Sequence, residues 1–274
     1  MTGKLTIVGI GPGSESLLTP MASKALTDAQ LVVGYKPYID SLGFVLTDQN
    51  VVANGMTSEV ARARVAVEKA LAGERVAVVS SGDAGIYAMG SLVYEMLAFY
   101  DWKPTDPLEV VMVPGITAAI SCASLVGTPL GHDSCTISLS DLLTPWDLIE
   151  RRIAAAAAAD FAITFYNPRS RRRQQHIITA QKILLEHRDA STPVAIVKDA
   201  YRDEQLITLS TLGEFTDCEF GMTAAVIIGN SQSYMYGDKI ITPRGYNHKY
   251  DYQDGGVKAG QQRGRSLNTA VGEA

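Results

Sequence analysis

Ile7-Val8-Gly9-Ile10-Gly11-Pro12-Gly13 is a short apolar run that breaks into glycine and proline. Three other stretches repeat the pattern. Val78-Val79-Ser80-Ser81-Gly82-Asp83-Ala84-Gly85 is the second, and Val110-Val111-Met112-Val113-Pro114-Gly115-Ile116-Thr117-Ala118 is the third. The fourth is Phe161-Ala162-Ile163-Thr164-Phe165-Tyr166-Asn167-Pro168. Apolar runs of this length, closed by small residues and followed by helical patterns, read as buried parallel strands. In open α/β sheets a ligand sits outside the carboxyl ends of the strands. Four such ends therefore predict a site where backbone approaches a ligand closely.

Working outward from these strands, the chain reads as α/β, in two halves. In the first half, Lys4 to Ile10 is a strand, and Thr19 caps a helix over Pro20 to Ala29 with proline in its first turn. Leu31 to Gly34 is a short strand. Ser58 is the expected cap of a helix whose apolar face is Val60, Ala63, Val67, Ala70 and Leu71, ended by Gly73. Arg75 to Ser81 is a strand, Ile86 to Tyr100 a helix, and Leu108 to Val113 a further strand. The second half starts after Pro114-Gly115. Ile116 to Val126, rich in Ala and Ser, reads as a closely packed helix. Ser134 to Ser140 is a strand. Pro145 to Ala159 is a helix whose alanine run reflects helix propensity alone. Strands follow at Phe161 to Tyr166, Pro193 to Lys198, Gln205 to Ser210 and Thr223 to Gly229. These boundaries predict domains at 1–115 and 116–246. The segment 247–274 is glycine-rich and poor in apolar residues, and is expected to be disordered.

Composition narrows the function. A chain of 274 residues can bury a large core. Its net charge of −5 gives no reason to expect a nucleic acid or an anionic membrane as partner. Three well-separated cysteines, Cys122, Cys135 and Cys218, argue against a disulfide framework and for a reducing compartment. The four histidines lack metal-ligand spacing, so no metal is expected. No leader and no membrane-length apolar run is read, so the expected location is the cytoplasm.

The glycine loops are not phosphate loops. After Gly9-Ile10-Gly11 comes Pro12-Gly13-Ser14, which departs from the G-x-G-x-x-G spacing that brings a helix amino end to a pyrophosphate. Val32-Val33-Gly34-Tyr35 offers no acid at the ribose position, and no Walker-type motif is present. Asp83, behind Ser81-Gly82, puts a carboxylate at a strand end. It suits either a ligand hydroxyl or cation, or the capping of a helix beginning near Ala84. His132-Asp133 precedes a strand after a Pro-Leu-Gly turn; His132 reads either as a general acid or base or as a hydrogen-bonded structural residue. Ser138, Ser140 and Asp141 are weaker candidates, and Asp141 reads equally as the start of a turn. Arg169, Arg171, Arg172 and Arg173 follow Asn167-Pro168, read as the N-cap and first position of a helix running to His187. Positive charge there opposes the helix dipole and would be relieved by an anionic ligand; the alternative is a solvated helix start.

Together, Val8 to Gly13, Ser80 to Tyr87, Val113 to Ala118 and Phe165-Tyr166-Asn167-Pro168 resemble the tetrapyrrole methylase family. The resemblance covers about residues 3 to 245. It implies two α/β domains with a ligand cleft between them, distinct from the Rossmann-type methyltransferases, and S-adenosyl-L-methionine as cofactor. Matching family positions imply cofactor contacts at Pro12, Ser81, Gly82, Asp83, Ile86, Thr117, Ala118, Asn167, Ala200 and Ala224. Within the family, Gly127 to Asp133, Ser138 to Trp146, Tyr166 to Ser170 and Ile227 to Ser231 are similar to members that methylate C-17 of a precorrin in cobalamin biosynthesis, with ring contraction. That likeness implies a tetrapyrrole substrate and a homodimer. It gives the acid–base candidates His132 and Asp133 a role in contraction, and makes Ser140, Arg169, Arg171 and Arg172 candidates to meet the substrate, Arg being the natural partner of its carboxylates. Another methylase of the same fold, or a non-enzymatic tetrapyrrole-binding protein, are the competing readings.

Overall fold

The fold is seen in a computed structural model that describes residues 2–55 and 58–269. Its first half carries β1 (Lys4–Gly9), α1 (Pro20–Asp28), β2 (Leu31–Tyr35), α2 (Lys36–Asp40), β3 (Asn50–Asn54), α3 (Glu59–Leu71), β4 (Arg75–Ser80), α4 (Met89–Phe99) and β5 (Glu109–Val113). The five strands form one parallel sheet in the order β3-β2-β4-β1-β5. Alternate residues of its strands enter two separate cores. Leu5, Ile7, Val76 and Val78 pack with α3 and α4. Val8, Ile10, Ala77 and Val79 pack with α1. Burial on both faces explains why these strands read as unbroken apolar runs rather than alternating ones.

The second half continues with α5 (Ala118–Leu125), β6 (Gly127–Thr128), β7 (Ser134–Ser138), α6 (Trp146–Ala158), β8 (Ala162–Tyr166), α7 (Gln175–Leu185), β9 (Pro193–Lys198), β10 (Leu206–Thr211), β11 (Ala224–Ile228), β12 (Tyr234–Tyr236), β13 (Lys239–Ile241) and α8 (Tyr246–Lys249). A second five-stranded sheet runs β10-β9-β11-β8-β7. Only β7 and β8 pair in parallel; the other contacts are antiparallel. The expectation of parallel strands is therefore corrected for β8, whose burial on both faces gives the same apolar signature in a mixed sheet. A small third sheet, β12-β13-β6, holds the Gly127–Asp133 stretch against the end of the fold.

Several local expectations shift. Thr19 accepts from the Ala22 amide as a true cap, at 3.1 Å. Ser58 makes no such side-chain bond. In α3, Ala63, Val67 and Ala70 are buried as expected, but Arg62 and Ala66 take the inward places assigned to Val60 and Leu71. The helix expected from Ile86 starts only at Met89, because Tyr87 holds a left-handed backbone (φ 52°) that interrupts any helix through it. The helix expected from Pro168 starts at Gln175: Asn167, the expected cap, is left-handed (φ 51°), and Ser170 and Arg173 then exchange backbone hydrogen bonds in a turn ahead of the helix. The four arginines thus lie in a loop ahead of α7, and the conflict with a helix dipole that argued for an anion does not arise. The segment expected to be disordered has local order over 247–269: a bridge joins Tyr250 to Val257, and the Gln261 and Asn268 side chains bond back into the segment.

Candidate functional site

The carboxyl ends of β1, β4 and β5 are welded together by glycine. Gly11 and Gly82 exchange backbone hydrogen bonds at 3.0 and 2.7 Å. A Cβ on Gly115 would stand 2.1 Å from the Gly82 carbonyl oxygen and 2.6 Å from the Gly9 carbonyl carbon. A Cβ on Gly9 would meet the Gly115 nitrogen at 2.7 Å. These glycines are required because three turns approach one another, which the sequence pattern alone reads as approach to a ligand. Asp83 completes the junction. Its Oδ1 accepts from the Gly85 amide at 2.8 Å and its Oδ2 from the Gly115 amide at 2.9 Å. The helix-cap reading of Asp83 is thereby corrected: it is a brace between two strand-end loops, with about half its acceptor capacity still unused.

The facing edge belongs to the second sheet. The parallel pairing of β7 with β8 puts Ser138 beside Tyr166. The antiparallel pairing of β11 brings Ala224 level with Lys198, next to Ala200. So Asn167, Ala200 and Ala224, far apart in sequence, share one edge. The Asn167 amide nitrogen donates to the Ser138 hydroxyl at 3.1 Å, and its backbone carbonyl accepts from Arg173 at 3.1 Å.

The two edges meet. The Tyr166 hydroxyl lies 2.5 Å from the Thr117 hydroxyl and accepts from the Ala119 amide at 2.8 Å, filling an otherwise unpaired amide at the start of α5. Burial raises the Tyr166 phenol above its ordinary pKa, so it stays neutral at physiological pH. The Tyr87 hydroxyl donates to the Thr136 carbonyl at 3.0 Å, and its ring packs on Tyr166 with centroids 5.2 Å apart. From another side, Arg202 donates to the Pro12 carbonyl at 2.5 Å. Four non-glycine residues around this junction are left-handed: Tyr87, Asn167, Asp199 and Tyr201. For the two tyrosines that backbone is costly, of order 1–3 kcal/mol each, and such strain concentrates at functional sites.

The structure therefore brings together Pro12, Ser81, Gly82, Asp83, Ile86, Thr117, Ala118, Asn167, Ala200 and Ala224. It places His132 and Asp133 elsewhere. They precede the amino end of β7, about 15–20 Å along the strand from its carboxyl end. Their side chains are 44 % and 82 % exposed. His132 instead lines a cavity of about 460 Å³ with Arg244, Tyr246, His248, Lys249 and Leu267. Arg169 is corrected as well. Its guanidinium donates to the Thr216 and Cys218 carbonyls at 2.9 and 3.3 Å and covers the Phe220 ring, so it ties two loops together. Arg171 and Arg172 are exposed in the loop beyond Asn167, and Ser140 is half-buried at the carboxyl end of β7. Burial pushes the Cys122 thiol up to about 12 and raises that of Cys135, which disfavours the thiolate at both. The sequence reading names Asp141 as a weaker candidate but misses its grouping with Arg173, His176 and Trp146, which Arg173 joins to Asn167, because the members come from separate segments.

A nucleoside cofactor without phosphates fits this junction. The amides of Gly11, Gly82, Gly85 and Gly115, which a phosphate would recruit, are consumed within the loops. The side chains at 118, 200 and 224 are all alanine, with Ala200 and Ala224 buried in the cores of the second half.

A family model for the tetrapyrrole (corrin/porphyrin) methylases matches residues 4–216. The chain is 50 % identical over 250 residues to the cobalt-factor III methyltransferase of Priestia megaterium, covering 91 % of this chain and 46 % of that protein. The chain thus spans about half the length of that relative. It is 48 % identical over 242 residues to the probable cobalt-factor III C(17)-methyltransferase of Salmonella typhimurium, covering 88 % of this chain and 99 % of the other. The solved structure of the methyltransferase CobJ superposes with a TM-score of 0.81 at 36 % identity, covering 88 % of this chain and all of that one. Uroporphyrin-III C-methyltransferase from Thermus thermophilus, solved in complex with S-adenosyl homocysteine, shares the fold at a TM-score of 0.63 and 22 % identity, covering 83 % of this chain and 92 % of the other.

Proposed function

Because the chain belongs to the tetrapyrrole (corrin/porphyrin) methylase family, we propose that it moves a methyl group from S-adenosyl-L-methionine to C-17 of a precorrin-3-level macrocycle in cobalamin biosynthesis. The observation that carries this reading is the meeting of the two strand-end edges at Thr117 and Tyr166, with their loop amides already satisfied and small side chains around them. Residues 1–115 and 116–246 would act as two domains with the cofactor between them. The sulfonium cofactor supplies an electrophilic methyl group, and the macrocycle supplies the nucleophilic carbon. The chain's own task is then positioning and exclusion of water, which depend on rigid loops. Asp83 braces the cofactor loops and offers its unused lone pairs to a hydroxyl. Thr117, Ala118 and Ala224 present small surfaces to the nucleoside. The exposed Arg171 and Arg172 are the arginines able to meet substrate carboxylates.

The names of the two relatives quoted favour a cobalt-bearing macrocycle as substrate over the metal-free one. Ring contraction accompanying methylation and a homodimeric assembly extend the proposal and rest on the resemblance; a cytoplasmic location extends it on the cysteine usage and apolar pattern of the sequence. Among the described residues no helix is long and apolar enough to cross a membrane. The test is incubation with methyl-labelled S-adenosylmethionine and matched cobalt-bearing and metal-free substrates, read by product mass and by the labelled carbon's position. One labelled methyl at C-17 is the expected result. Folded protein that neither binds S-adenosylhomocysteine in calorimetry nor labels any tetrapyrrole would overturn the reading.

A further inference from the structure

After β7 the chain stays against the end of β8, with the Leu139 amide bonded to the Tyr166 carbonyl at 2.9 Å, and then turns outward at Asp141 into α6. The first residue of α6, Trp146, stacks on His176 near the start of α7, ring centroids 3.8 Å apart and planes 11° from parallel. This clamp sets the imidazole's direction. Nδ1 lies 3.0 Å from the Leu139 carbonyl oxygen, which only accepts, so Nδ1 carries the proton. In the neutral ring the bare nitrogen is then Nε2, and it faces Asp141 Oδ2 at 3.6 Å. The other carboxylate oxygen lies 3.7 Å from Arg173 Nη1.

Arg173 carries the arrangement to the strand ends. It donates to the Asn167 carbonyl at 3.1 Å, and Asn167 in turn donates to Ser138. The Arg173 side chain is 9 % exposed and its Nε, fully buried, has no hydrogen-bond partner. Exposure is graded along the chain of groups. Asp141 is 43 % exposed and His176 17 %. The carboxylate is therefore the member open to a molecule outside, and the imidazole stands behind it. Both nitrogens of a protonated His176 would face an acceptor, Leu139 O on one side and Asp141 on the other, so a proton arriving at Nε2 has a prepared partner.

We propose that Asp141 is a catalytic proton-transfer residue of the tetrapyrrole site, with His176 as the proton reservoir behind it and Arg173 as the residue that positions it against Asn167. This rests on the methyltransferase reading given above. Methylation at a ring carbon leaves the macrocycle one positive charge up. That charge is discharged when a proton leaves a ring N–H or C–H for the Asp141 carboxylate and the bonding electron pair stays with the macrocycle. Transfer of the proton from Asp141 to His176 Nε2 restores the carboxylate and leaves an imidazolium–carboxylate pair. The reverse path returns a proton to the macrocycle where a later step needs one. His176 and Arg173 touch Asp141 and act through it.

The experiment measures kcat and KM for the macrocycle in wild type, Asp141→Asn, His176→Asn and His176→Ala, with S-adenosylhomocysteine affinity by calorimetry on each protein. General acid–base catalysis is worth about 10²–10⁴-fold, so Asp141→Asn is expected to lower kcat at least about a hundredfold. KM and S-adenosylhomocysteine affinity are expected to stay within about threefold. His176→Asn keeps a donor for the Leu139 carbonyl and removes the bare nitrogen, and is expected to lower kcat with KM unchanged. His176→Ala is expected to regain turnover on addition of free imidazole. The proposal is overturned if Asp141→Asn keeps kcat within threefold of wild type. It is equally overturned if kcat and S-adenosylhomocysteine affinity fall together, or if imidazole restores nothing to a folded His176→Ala protein that has lost turnover. Wild-type protein that binds S-adenosylhomocysteine but methylates no tetrapyrrole removes the methyltransferase reading and this inference with it; normal wild-type turnover with an unaffected Asp141→Asn removes this inference alone.

Discussion

At the amino end of β7, His132 and Asp133 are neighbours in sequence, both exposed, with an imidazole nitrogen 3.4 Å from the carboxylate. At the carboxyl end of the same strand, Asp141 and His176 come from different segments, with a similar separation of 3.6 Å. The chemistry of the two pairs is nominally alike, but their surroundings are not. His132 Nδ1 turns back to accept from the next amide, Asp133 N, at 2.7 Å, and no ring stacks on it among the described residues. His176 is clamped by Trp146 and a carbonyl, and its carboxylate partner is faced by a buried arginine that reaches Asn167 at the strand-end edge. Fixing a pair in one geometry is what lets it act on a positioned substrate, since a side chain free to rotate loses much of the advantage of proximity. Adjacency in sequence supplied the first pair; tertiary packing supplied the second.

The comparison can be broken at several points. The largest effect is expected where the strand ends are fused. Gly115→Ala places a Cβ 2.1 Å from a backbone oxygen, so cofactor binding is expected to vanish, with a lowered melting temperature in calorimetry. Unchanged S-adenosylhomocysteine affinity in that variant would show that the fused turns are not the cofactor site. Next comes the contrast between the two aspartates. Asp141→Asn is expected to reduce turnover about a hundredfold or more, whereas Asp133→Asn and His132→Asn stay within about twofold; the opposite ranking in steady-state kinetics would put the chemistry at the amino end of β7. Asp83→Ala leaves the Gly85 and Gly115 amides without their acceptor. It is expected to cost about 1–3 kcal/mol in denaturant unfolding and to weaken S-adenosylhomocysteine binding as well. Loss of affinity with stability intact would mean that Asp83 serves the ligand and not the loops. The smallest effect is expected from removing residues 252–274; the described part, 252–269, bonds to itself and to residues 249–251, not to the strand-end turns, so methyl transfer should be unchanged in a tritium-transfer assay.

Much of this was legible in the sequence because buried strands and their small-residue ends have a local signature. Thr19 as a cap, the span of β9 and the shared edge of Asn167, Ala200 and Ala224 follow from local pattern or from the resemblance. What was not legible depends on long-range geometry. Strand direction leaves no trace in an apolar run, so the mixed second sheet could not be read. Left-handed Tyr87 is not a type that announces φ > 0 as glycine does, and the Ser170–Arg173 turn has no local signature, so pattern alone starts both helices too early. Arg169 looked like a free cation near a helix start, yet carbonyls at 216 and 218 claim it. His176 had no partner within its own stretch of sequence, and its role appears only once α6 and α7 pack side by side.

Amide hydrogen exchange of the whole protein, with and without S-adenosylhomocysteine, locates the ligand directly. Exchange reports local opening, and a ligand slows it at the segments it holds. Added protection is expected at residues 82–87, 115–119 and 166–168, the turns where the two sheets meet, with 129–133 and 243–250 unchanged. Protection confined to 129–133 and 243–250, with the strand-end turns exchanging as before, would contradict a ligand site at those turns.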